Sequence, residues 1–221
     1  MPIKEENPKN RSFPDDLQRR MWITRGVRFV SEDRLKKKHL LSVLAINILS
    51  LCVIGLEIIS ILVKTKTHTM EILFPIAAIV APVFIIVLSA HENAKRYLVY
   101  AERMHRSAQV ISNLYSDLEF INHTNGLTDE VLNKLREDYN SALNDTSAHQ
   151  DDVDYKYFQS LHPKPFLEHD DNFLQQLLRQ LNLHIRGRIP YYFNVWFLPI
   201  IVTILPLGIL LLSIWLLINA P

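Results

Sequence analysis

Three long apolar runs interrupt an otherwise mixed sequence. His39–Val63 reads HLLSVLAINILSLCVIGLEIISILV with one carboxylate, Glu57, while Ile72–Ala90 and Tyr191–Ala220 contain no charged side chain. A helix of about 20 apolar residues spans a hydrocarbon core, so each run is predicted to cross a bilayer. Only Lys64–Glu71 separate the first two, which predicts a transmembrane hairpin. The third is longer than a perpendicular crossing needs, and Tyr191, Tyr192, Phe193 and Trp196 are placed for its near interface. A soluble domain of this size cannot wrap three such helices on every side. The expected fold class is therefore an all-α membrane protein: a transmembrane helical hairpin continuing into a cytoplasmic helical domain, plus a C-terminal transmembrane helix.

Between the runs the pattern changes to apolar or small positions three and four apart. Ala94, Tyr97, Leu98, Ala101, Met104, Ala108, Ile111, Tyr115 and Leu118 make one stripe. No proline or glycine intervenes between Pro82 and Gly126, so this helix is predicted to be continuous with the second crossing. Asn125 and Gly126 make a turn, and Thr128 caps a second helix with Asp129 and Glu130 in its first turn and Leu127, Val131, Leu135, Tyr139 and Ala142 as its stripe. Asp145–His169 has little periodicity and holds Pro163 and Pro165, so it is expected to be a loop. A third helix is expected from Asp171 or Asn172, with Phe173, Leu174, Leu177, Leu178, Leu181 and Ile185 in it and Gly187 and Pro190 at its join to the third crossing. Before the first crossing, Leu17, Met21, Val27 and Phe29 among basic residues predict an amphipathic helix on the anionic inner leaflet. The expected organisation is a basic amphipathic segment over 1–38, the hairpin over 39–90 (crossings 39–63 and 72–90), a cytoplasmic helical domain over 91–190 and the last crossing over 191–221.

Charge then orients the chain. Cytoplasmic flanks carry excess Lys and Arg. Arg34, Lys36, Lys37 and Lys38 stand directly before the first run, Lys95, Arg96, Arg103 and Arg106 follow the second, and Arg179, Arg186 and Arg188 precede the third. The hairpin loop holds only Lys64 and Lys66, and nothing basic follows the third run. The N-terminus and central domain are expected in the cytoplasm and the C-terminus in the periplasm. Net charge is only +1, so direct nucleic-acid binding is not expected. The polar stretch Met1–Asn10 has no apolar core, so the first run is not expected to be a cleaved leader. A single cysteine, Cys52, excludes an intrachain disulfide framework and a cysteine-based zinc site.

Candidate chemistry is sparse. A carboxylate at membrane depth is costly unless paired, protonated or wet, so Glu57 is a pore-lining candidate, with Asn47 loosely on its side. The alternative is that Glu57 reaches the outer interface or pairs with Lys64 or Lys66. Pro75 and Pro82, and likewise Pro199 and Pro206, are seven apart on nearly one face. They are either structural kinks or parts of a gate. His149, Asp151, Asp152, Asp154, His162, His169, Asp170 and Asp171 mix His and Asp without matching a closed ligand motif, and ordinary solvated surface is the simpler account. No phosphate-binding loop, nucleophile elbow or zinc-protease helix occurs, so neither an enzyme nor a cofactor is expected.

The order of parts resembles the SLATT family, two-helix membrane effectors that accompany bacterial nucleotide second-messenger and SLOG-type defence proteins. The likeness runs over about Met21–Ser160. It rests on RLKKKH at Arg34–His39, the tight hairpin, the helix at Tyr97–Phe120, and Tyr139, His149, Asp154 and Tyr155 within Asp138–Phe158. The third run departs from the two-helix pattern. The resemblance implies an antiphage effector of the bacterial inner membrane, a homo-oligomer that perturbs or depolarises the membrane and causes abortive infection. Its partner would be a cognate sensor, either a nucleotide cyclase acting through a cyclic oligonucleotide (CBASS) or a retron reverse transcriptase complex. The rivals are a membrane adaptor tethering a helical signalling domain and, less favoured for want of an inverted repeat, a small-solute transporter.

Overall fold

A computed structural model of the chain describes residues 13–62, 68–124, 126–144, 151–166 and 173–218. For 59–62, 68–78, 173 and several positions beyond 197 only the backbone is described. Among the described residues every regular element is helical: α1 (Phe13–Leu62), α2 (His68–Ala94), α3 (Tyr97–His123), α4 (Asp129–Asn144), α5 (Asp152–Leu161), a 3-10 turn (Lys164–Phe166) and α6 (Phe173–Ile218). Contacts divide the chain into two compact units, Met1–Lys36 with Leu98–Phe193 and Lys37–Tyr97 with Asn194–Pro221.

The first unit has a core. Leu17 and Met21 of α1, Ile111 and Leu118 of α3, and Leu132, Leu135, Tyr139 and Ala142 of α4 are buried together. The α3 stripe appears as Ala101, Met104, Ala108, Ile111 and Leu118, all under 3% exposed, with Leu98 outside it. The start of α4 follows its sequence, since the Val131 amide donates to the Thr128 hydroxyl at 3.4 Å and the Leu132 amide to the Thr128 carbonyl at 3.0 Å.

Four expectations need correction. The amphipathic stretch before the first run does not lie free for the leaflet: Leu17, Met21 and Val27 are buried in protein, and only Phe29 of that set is exposed. The helix expected from the second crossing into α3 is broken, because α2 ends at Ala94 and Arg96 takes a left-handed backbone (φ 47°). The expected loop contains α5, ten residues long. Gly187 and Pro190 mark no join, because α6 runs through both.

In the second unit, Ser42, Ala45, Leu49 and Cys52 form the buried side of α1, spaced three and four apart. Leu40, Leu51, Ile54, Ile79, Ile86 and Val87 are more than half exposed. Two helices among the described residues are long and apolar enough to cross a membrane, Phe13–Ile58 and Leu174–Gly208, and only 17% and 19% of their apolar windows are buried. A core helix of a soluble protein would be mostly covered, so the fold is that of an all-α membrane protein. The second run lies in α2, and the side chains of its first part are outside the described residues.

Candidate functional site: a polar turn on α1 and the membrane helices

One turn of α1, Ser31-Glu32-Asp33-Arg34, bonds three other helices. Arg34 is 4% exposed and reaches α5, donating from Nε to Asp154 Oδ1 at 2.7 Å and from Nη2 to Asp154 Oδ2 at 2.9 Å. The same Nη2 donates to Asp151 Oδ2 at 2.7 Å. Asp154 is fully buried. Burial works against the Arg34 charge, but the hydrogen bond and field of Asp154, and then Asp151, hold its pKa above the ordinary arginine value. Glu32 meets α3 through His105 Nδ1 at 2.8 Å and accepts from Lys36 Nζ at 2.6 Å. Asp33 accepts from the hydroxyl of Tyr191 on α6 at 3.0 Å. The Tyr191 ring stacks on Tyr157 of α5 with centroids 3.8 Å apart.

Two glycines let α5 sit this close to its neighbours. A Cβ on Gly26 of α1 would fall 2.1 Å from the Phe158 ring, which is held in an aromatic group with Trp22 and His162. A Cβ on Gly187 of α6 would fall 2.4 Å from the Lys156 carbonyl oxygen and 2.6 Å from Ser160 Cβ. Glycine inside a helix is explained here by approach, not by a bend.

Sequence reasoning treated these residues differently. Arg34 and Lys36 stand in the basic flank that orients the first crossing, yet both are paired with carboxylates. Asp151 and Asp154 stand among the candidate metal ligands, yet both serve Arg34, and His162 packs on Trp22 at 5.4 Å. Among the described residues no group of three or more His, Cys, Asp or Glu is arranged to hold a metal, and His149, His169, Asp170 and Asp171 lie outside them. Of the other family-like residues, Tyr139 shares a 2.8 Å hydrogen bond with Thr24 of α1, and Tyr155 lies edge-on to Phe166. The usable signal for the polar turn was four polar residues in a row inside a helix. A one-sided amphipathic helix would not place them so.

In the second unit, the Ser42 hydroxyl donates to Glu92 Oε2 at 2.8 Å and Lys95 Nζ donates to Glu92 Oε1 at 2.5 Å, joining α1 to the end of α2. Glu92 is 6% exposed. Asn47 is exposed and Glu57 half-buried on α1. Ten residues apart, they lie about 80° from each other around the helix. Pro82 is half-buried in α2, and Pro75 lies in α2 where the backbone alone is described. Lys64 and Lys66, the alternative partners of Glu57, lie outside the described residues.

Residues 10–212 match the SMODS and SLOG-associating 2TM effector domain family 5. The chain belongs to the SLATT family. This SLATT chain is therefore a membrane effector of a defence-associated family whose members accompany SMODS and SLOG partners. The match reaches Leu212, so most of the third apolar run, which the sequence resemblance leaves outside the two-helix pattern, falls within the family domain. No curated protein and no solved structure matches the SLATT chain.

Proposed function

We propose that the chain is the effector that perturbs and depolarises the bacterial inner membrane when a partner sensor detects phage, stopping growth of the infected cell. The observation that carries this reading is the continuity of α1 and α6: each runs without interruption from the polar, ion-paired first unit into the apolar second one. A ligand or partner acting on the polar turn thus acts on helices that also form the membrane part. The activity is non-enzymatic in this reading: the buried Arg34, Asp154, Glu32 and Glu92 are committed to one another or to neighbouring side chains, and the buried Arg28 donates from Nη1 to the Ala142 carbonyl at 3.3 Å. The N-terminus and first unit face the cytoplasm and the C-terminus the periplasm.

Induced expression with a voltage-sensitive dye tests the reading. Collapse of the potential, increased when the cognate sensor is triggered, is the expected result. An intact potential at matched membrane levels would leave a tethering adaptor instead. Glu57→Gln tests the pore-lining role separately, and unchanged conductance and ion selectivity would remove that residue from the permeation path.

A further inference from the structure

The part of α6 that leads into the aromatic belt, as far as Tyr192, exposes a continuous apolar face. Leu174, Leu178, Leu181, Ile185, Ile189 and Tyr192 are between 49% and 69% exposed. At 100° per residue they fall within an arc of about 80°. Their steps of four, three, four, four and three repeat after eleven residues, from Leu174 to Ile185. An eleven-residue repeat keeps such a stripe facing a partner along straight or slightly right-handed parallel helices. The exposed apolar area is on the order of 600 Å², at the upper end for the largest patch of a monomer and close to the ~800 Å² that one partner gives a standard interface.

Three occupants are conceivable, and the chain favours one. Arg188 borders the stripe while Arg179 and Arg186 lie well off it, so charge alone does not decide against lipid, but α6 runs on without a break into the apolar run and would have to bend to lay this face in the plane of a leaflet. A soluble partner would have to bring a matching repeat. Another copy of the chain has it already: α6 continues to Ile218 through the apolar run, so copies inserted the same way hold their α6 helices parallel, with the same stripe at the same depth. We infer that the Leu174–Tyr192 face of α6 packs against the same face of further copies of this chain, as a parallel helical bundle. The inference rests on α6 being anchored in the membrane, not on the assembly being depolarising.

The test is cysteine cross-linking of the full-length chain in membranes, with the native Cys52 replaced by serine and one cysteine added at a time. Leu181→Cys and Ile185→Cys are expected to give disulfide-linked dimers several-fold more efficiently than Gln176→Cys, on the far side of the helix. Leu178→Asn with Leu181→Asn, in the Ile185→Cys chain, should abolish the product while membrane levels hold. Equal cross-linking at Gln176 and Leu181 would overturn the proposal. So would no dimer from any stripe position in a membrane-inserted chain, or a photo-cross-linker at Leu181 that captures only lipid or a different protein. Because the readout is covalent dimer, a chain that assembles without changing the membrane potential would sink the proposed activity and leave this inference standing.

Discussion

Arg96 holds a backbone conformation that favours glycine, with a φ of 47° at the break between α2 and α3. A side chain there costs on the order of 1 kcal/mol, so Arg96→Gly is expected to raise the unfolding midpoint of the detergent-solubilised chain, by an amount set by that figure. No stability gain would mean that the exposed Arg96 side chain offsets the strain elsewhere. At the other extreme stands Arg34. Replacing it with methionine leaves the Asp154 carboxylate buried without a cation, a loss of about 3–5 kcal/mol for a broken buried pair. The double change Arg34→Met with Asp154→Leu removes both charges and should recover most of that loss. Chemical unfolding of the three chains side by side measures it, and a double mutant no better than the single would show that the pair does more than balance charge.

At the scale of the element, α5 depends on absent side chains. Gly187→Ala pushes a methyl group into the Lys156 carbonyl, which belongs to a helix backbone and cannot swing away. Overpacking of this kind costs about 1–3 kcal/mol. Limited trypsin digestion at Lys156 and Lys164 should become markedly faster in Gly187→Ala, and Gly26→Ala should shift the emission of Trp22 by moving the Phe158 ring. Why α5 was hidden in the sequence follows from the same facts: its acidic residues Asp151 and Asp154 serve a partner 117 and 120 positions away, so they look solvated when read locally. The stripes of α3 and α4 were legible because their own spacing defines the buried face, and Thr128 because a cap is a local bond. Continuity was misread in both directions. Nothing local marks the break after Ala94, where Glu92 is held by Ser42 across the unit and by Lys95 beside it. Gly187 and Pro190 are breakers by propensity, yet α6 passes through them, since tertiary packing overrides a weak prior.

At the scale of the whole molecule, orientation is the property on which the functional reading depends. A periplasm-active reporter fused after Pro221 should score positive and one inserted after Gly126 negative, and the reverse pattern would put the ion-paired unit on the wrong side to meet a cytoplasmic sensor. Within the first unit the Arg34 turn has a mechanical consequence. It is gripped by α3 through Glu32, by α5 through Arg34 and by α6 through Asp33. A turn held from three sides cannot swivel by much unless one of those bonds lets go, so a partner that pulls on any one of the three helices loads the other two through the same four residues.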